Sequence, residues 1–348
     1  MDLLEIYNAV GAVLGALDFS ALFDGFRRYG YALYNRAEIC LDGRMMPYQE
    51  EFRGNTAIEY KGRFIAIWDM ELDTVDDVEE LTYLLVHEMF HCHQRAHGEK
   101  RYPSDLMLLN YPADVDNFEK KYNENIYLVE AYEKQDIGSL QKFARIRDMR
   151  MRAHPDMVRQ ELKVETVEGA AEYVALKALR AIDHRKFTDV IGGHIRKLRR
   201  QDGSLFDVRR ISYYSGALYC LCCDSCGIAL RNDFAGEETI YEQNPLAFAD
   251  GPVDIRPCGF IPVRYAEIMG ERKKLITECT EKWEYAACKA LICGYDPMNM
   301  FRLGDFIYCK YFVCLDIGGK AHNVNSSIVL RLDENSGQNV VGYYLPRE

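Results

Sequence analysis

The segment Leu84-Leu85-Val86-His87-Glu88-Met89-Phe90-His91 sets two histidines four residues apart, with an acid directly after the first. On a helix, residues four apart lie one turn apart on one face, so two imidazoles can hold a single divalent ion. Glu88 then reaches water beside the ion rather than the ion itself. Two imidazoles, one further protein ligand and an open fourth position make the catalytic zinc pattern. Zinc brings the pKa of water at the open position to about 7, so Glu88 can take its proton as it attacks a carbonyl. The predicted chemistry is hydrolysis with one Zn2+ per chain.

A third ligand has two sources. Downstream, Val164-Glu165-Thr166-Val167-Glu168-Gly169-Ala170-Ala171-Glu172-Tyr173 places Glu168 and Glu172 four apart on a second helix. One can bind metal while the other orients a ligand histidine. The other source is His97, six residues after His91, the spacing of HExxHxxGxxH. That motif needs Gly midway to turn the chain back; Gln94 stands there and continues the helix instead. Glu168 is therefore preferred, and His97 points away from the His87/His91 face. His93, two residues from His91, is read as a surface residue.

These residues need rigid supports. Residues 1–35 read as amphipathic helix through Leu3, Leu4, Tyr7, Val10 and Leu14. Thr56–Tyr60 and Arg63–Met70 read as strands joined by Lys61-Gly62, a two-residue hairpin turn. Arg63–Met70 is either an edge strand for an extended peptide or a plain sheet strand. Thr74, with Asp77 three positions on, opens the metal-binding helix, and Gly98 closes it. Residues 114–183, 213–230 and 262–294 read as helix. Phe306–Ile317, Ser326–Asp333 and Asn339–Leu345 alternate between turn residues and predict a small antiparallel sheet.

HExxH followed by EG-x-A-E-Y on a later helix resembles the gluzincin metallopeptidases, closest to their thermolysin-like and zinc-aminopeptidase-like catalytic domains. The resemblance implies Glu168 as third zinc ligand and Glu172 as the acid holding a ligand histidine. Tyr213-Tyr214-Ser215-Gly216-Ala217 is similar to the family's Y-x-x-G-A segment, which implies Tyr213 as oxyanion donor, with Tyr214 the fallback. Read from its own helix pattern, Tyr213 serves equally as a core aromatic. The likeness covers residues 50–230. It departs in the 77 positions between His91 and Glu168, which imply inserted helices, and in the absence of a GxMEN strand.

The expected fold is α+β: a small N-terminal sheet packed on a mostly helical zincin domain, with a C-terminal antiparallel β appendage. Residues 1–295 form the metallopeptidase domain (helices and sheet 1–70, helical part 71–295), and 296–348 the appendage. The expected function is zinc-dependent cleavage of a peptide or protein substrate. The alternative is a non-catalytic metal-binding scaffold or regulatory protein on the same fold.

Composition narrows the partners. The 348 residues include 43 Lys and Arg against 54 Asp and Glu, a net charge of −11. Such a chain is a poor partner for nucleic acid or anionic membrane. The basic patches Arg145–Arg152 and Arg196–Arg200 read as solvated helix faces. Asp2 and Glu5 stand where a signal peptide carries Lys or Arg, and no apolar run reaches membrane-spanning length. A cytoplasmic location is expected, with the 12 cysteines reduced. Cys220, Cys222, Cys223 and Cys226 fall on an apolar helix where cysteine behaves as a small hydrophobe, with a second metal site the alternative reading. No P-loop, dinucleotide fingerprint or G-x-S-x-G element is present.

Overall fold

The apolar runs Gly30–Tyr34 and Arg63–Asp69 lie side by side at the centre of an N-terminal sheet. The computed structural model describes residues 2–72, 75, 77–111, 114–248, 251–333 and 336–347. The fold is α+β, with 51% helix and 20% strand. Strands β1 (Gly30–Tyr34), β2 (Glu38–Leu41), β3 (Arg44–Pro47), β4 (Thr56–Tyr60) and β5 (Arg63–Asp69) order as β3-β2-β1-β5-β4. The β1/β5 pair is parallel, and the other three are antiparallel. The β2–β3 and β4–β5 hairpins each turn on two positive-φ residues, Asp42-Gly43 and Lys61-Gly62, as type I′ turns require.

One expectation changes here, and one pair of alternatives is resolved. Helix α1 (Leu3–Gly15), opened by an Asp2/Glu5 capping box, and one turn at Phe19–Leu22 are all the helix in residues 2–35. Residues 30–34 are strand, because a five-residue apolar run has no periodicity to separate it from buried helix. And β5 is interior; the open edge beside it belongs to β4.

Helix α2 (Val78–Ala96) lies across this sheet, burying Leu81, Leu85 and Met89. Its N-cap is Asp77, whose carboxylate accepts from the Glu80 amide at 2.9 Å; Thr74 lies outside the described residues. Gly98, at φ 79°, terminates it. The long connection that follows contains α3 (Val115–Lys134) and α4 (Ile137–Ala153). One helical run then comprises α5 (Pro155–Val164), a π-helical turn at Glu165–Gly169, and α6 (Ala170–Ile182). Helices α7 (His184–Arg199), α8 (Val208–Ser225) and α9 (Phe260–Lys282) complete the helical body.

Inside that body the patch Arg145–Arg152 is not wholly solvated. Arg147 and Arg150 are fully buried. Arg147 pairs with Glu124 and Glu165 at 2.6 Å, and Arg150 with Glu124 and Glu161 at 2.6 Å. Lys121 joins through Glu161. Three cations thus balance three carboxylates, which is how buried charge is tolerated. Glu124, Glu161 and Glu165 sit close enough to hold a cation, but Lys121, Arg147 and Arg150 already supply it.

The second sheet takes its first strand from residues expected to be helix. Strands β6 (Glu284–Tyr295), β7 (Met300–Leu303), β8 (Phe306–Cys309), β9 (Val313–Ile317), β10 (Lys320–Val324), β11 (Ile328–Asp333) and β12 (Ser336–Leu345) order as β10-β9-β6-β12-β11-β8-β7. All its pairs are antiparallel. It begins at Glu284, ahead of residue 296, and α9 ends at Lys282. Cys220, Cys222 and Cys223 are buried in the main core, and burial raises their thiol pKa values, that of Cys223 to about 12. No metal-donor cluster among the described residues contains a cysteine. None of the helices described is long and apolar enough to cross a membrane.

Candidate metal centre

Helical spacing on α2 brings the His87 and His91 Nε2 atoms within 3.2 Å of each other. The π-helical turn presents Glu168 to the same point. Its Oε2 lies 3.2 Å from His91 Nε2 and 3.6 Å from His87 Nε2. A tetrahedral ion with donors at about 2.0–2.1 Å holds any two of them roughly 3.4 Å apart. The three atoms therefore have the separations of one face of such a tetrahedron, and two imidazoles with a carboxylate are the donor chemistry of catalytic zinc.

Each imidazole is held from behind. His87 Nδ1 lies 3.2 Å from Glu172 Oε2, and Glu172 Oε1 accepts from the Tyr83 hydroxyl and sits 2.9 Å from His194 Nε2. His91 Nδ1 lies 2.7 Å from Gln94 Oε1, while Gln94 Nε2 donates to the Val167 carbonyl at 2.9 Å. With Nδ1–H donated backward, each Nε2 presents its lone pair forward. Gln94, the residue that breaks the HExxHxxGxxH pattern, thus orients His91 and ties α2 to the π-helical turn. His97 is exposed at the end of α2, its Nδ1 2.8 Å from the His93 carbonyl, and is not part of the cluster.

Burial alone lowers the His87 pKa, but its bonds to Glu168 and Glu172 outweigh it and push it up to about 10. Burial would likewise raise the pKa values of Glu168 and Glu172, yet His91 and His87 hold Glu168, and His194 and His87 hold Glu172, well below the ordinary carboxylate value. Without an ion, the cluster keeps a proton between imidazole and carboxylate that a metal must displace. Glu88 is different. Burial raises its pKa, only partly offset by the two histidines.

Glu88 and Tyr213 line one cleft of about 350 Å³ over the cluster, with Asn55 and Thr56 of the β4 end opposite. The Tyr213 ring lies 6.3 Å from His87 and 6° from parallel. Burial, reinforced by Glu168, keeps its hydroxyl protonated far above neutral pH. Tyr214 faces elsewhere, accepting from Lys197 at 2.7 Å.

Three contributors carry no motif of their own. Tyr83 stands one turn before His87, and Arg209 one turn before Tyr213, so helical spacing from a known site residue is their only signal. Arg209 donates to Glu168 Oε1 at 3.3 Å and pairs with Asp105. His194 arrives from α7 with no sequence signal. His93 corrects an expectation: it is 1% exposed rather than on the surface, ringed by Phe23, Phe26, Tyr29, Phe90 and Phe234. Its face of α2 is covered by the segment between α1 and β1, which the helix periodicity of α2 does not reveal. No protein-family model, curated protein or solved structure matches the chain.

Proposed function

We propose that the protein is a zinc-dependent peptidase in which His87, His91 and Glu168 hold the ion. The reading is carried by the 3.2, 3.2 and 3.6 Å separations of the three donor atoms, with Glu88 and Tyr213 in the same cleft. When bound, the ion supplies Lewis acidity, making water acidic enough to deprotonate near pH 7 and polarising a carbonyl oxygen.

Glu88 takes the proton from attacking water and returns it to the departing amine nitrogen. Its raised pKa suits both transfers. Tyr213 donates to the oxygen on which negative charge develops. Glu172 and Gln94 hold the ligand rings in the tautomer that faces the cleft, and Arg209 holds Glu168. An extended peptide can add along the open edge of β4. There the Ala57 carbonyl accepts from Arg95 Nη1 at 2.5 Å, so Arg95 must yield to the substrate.

A purely scaffolding metal site would be favoured by a fourth protein donor. Among the described residues the cluster has three and opens on the cleft. The test is Glu88→Gln assayed on a peptide library. Turnover should drop about 10³-fold while zinc content stays at one per chain. Full activity in this variant overturns the mechanism.

A further inference from the structure

A second cavity, of about 430 Å³, lies between the helical body and the C-terminal sheet. It shares two residues, Asp105 and Arg209, with the cleft over the metal centre. The wall between the two spaces is therefore the Asp105–Arg209 pair, whose guanidinium also holds Glu168. The Arg209 Nε is buried without a hydrogen-bond partner.

The cavity wall is largely apolar and aromatic. Phe118, Phe206 and Tyr265 come from the helical side, and Met298, Met300 and Phe301 from the sheet. A space of this size and lining accommodates a large apolar group. Its charges are unequal. Arg209 pairs with Asp105 and Glu168, and Arg302 donates to the Gly304 carbonyl; Arg272 and Lys310 also line the cavity, against Asp207. Asp105 is committed to Arg209, and Asp207 caps α8 and pairs with Arg210. Arg272, half-buried, has no hydrogen-bond or ion-pair partner among the described residues and stacks over the Phe301 ring at 5.0 Å. A cationic excess facing an apolar cavity, in a chain of net charge −11, selects an anionic ligand by charge complementarity.

We propose that this cavity is a substrate subsite that takes a bulky apolar side chain and an adjoining carboxylate, the latter received by Arg272. The inference rests on the peptidase reading and names its substrate class: peptides with a large apolar residue next to a carboxylate. The C-terminal sheet is then one wall of the substrate-binding surface. The carboxylate comes from the peptide C-terminus or from an acidic side chain one residue on.

The probe is 3-phenylpropanoate, which has no peptide bond to cleave, compared with 3-phenylpropanamide. Binding to the full chain is read from the ¹³C-methyl resonances of Met269, Met298 and Met300, all in the cavity wall. The acid should shift these methyls and bind about tenfold more tightly than the amide. Arg272→Met should abolish that difference, and Arg272→Lys should retain part of it, with the melting temperature reporting that each variant is folded. Capped peptides ending in Phe with a free carboxylate, and capped Phe-Asp amides, separate the two carboxylate sources. Unmoved methyls at saturating probe, or equal affinity for acid and amide, overturn the subsite. Because this readout needs no turnover, methyl shifts without peptide cleavage would sink the peptidase reading alone.

Discussion

Gly169 and Gly216 meet backbone to backbone. A Cβ built on Gly169 would stand 2.6 Å from the Gly216 Cα, and one built on Gly216 would stand 2.8 Å from the Glu165 Cα. No side chain fits between the π-helical turn and α8, so the two glycines let the element carrying Glu168 lie directly on the element carrying Tyr213. The glycines of EG-x-A-E-Y and Y-x-x-G-A are thus two halves of one contact.

Gly216→Ala should therefore force the helices apart. Overpacking of this kind costs about 2–3 kcal/mol. Denaturant titration should show the midpoint falling with an unchanged slope, and peptide turnover should fall with it. A Gly216→Ala protein as stable as the parent would mean that the helices do not meet as described.

The third ligand is settled by metal content. Glu168→Ala should lose most of its zinc on purification, and His97→Ala should keep one ion per chain, measured by elemental analysis. Zinc affinity of the parent should also weaken as pH falls, because the proton shared by His87 and its carboxylates competes with the ion. Normal zinc content in Glu168→Ala would exclude it as a ligand.

Tyr213→Phe removes only a hydroxyl. Turnover should fall about 10²-fold with KM little changed and zinc content intact. Loss of KM alone would make Tyr213 a binding residue.

The buried charge network predicts how the fold responds to acid. The folded-state pKa values of Glu124 and Glu161 are both lowered: burial raises them, but Arg147 for the first and Arg150 for the second outweigh it. A depressed carboxylate contributes stability that is complete above its unfolded value of 4.5 and is lost as pH falls below it. Denaturation midpoints should therefore drop steeply below about pH 4.5 from this source. Glu161→Gln should destabilise by about 3 kcal/mol at neutral pH and flatten the acid limb. An unchanged acid limb would remove the network from the account.

His93 contributes a separate window. Burial, aided by His97 and Arg27, pushes its pKa down to about 4 from 6.5. The unfolded chain then binds the proton more readily, so stability present above pH 6.5 declines as pH falls towards 4. His93→Phe should remove that slope and, by deleting two unpartnered buried ring nitrogens, cost little or no stability at pH 7.5. A slope that survives His93→Phe would assign it to another group.

Much of this site was legible because its chemistry follows a period. His87, Glu88 and His91 declare a helix face, and Glu168 with Glu172 declares another. The β4–β5 hairpin was legible because Lys61-Gly62 has the backbone freedom its turn demands. Strand β1 was hidden, because Gly30–Tyr34 is short and buried along most of its length. Arg147 and Arg150 read as surface because their partners Glu124, Glu161 and Glu165 lie 11 to 26 residues away. His194 reaches Glu172 through tertiary packing that no local spacing encodes.

The π-helical turn at Glu165–Gly169 holds one residue more than an α-turn would. Removing a residue there would let ordinary helix form and leave the flanking helices nearly in place, because five residues of the wide turn sweep roughly the same angle as four of α-helix. What would be lost is the bulge itself, and with it the outward placement of Glu168 and the close approach of Gly169 to Gly216. Segment length between Glu165 and Glu172 is thus a constraint in its own right: natural variants of this chain should exchange side chains there but neither gain nor lose a codon.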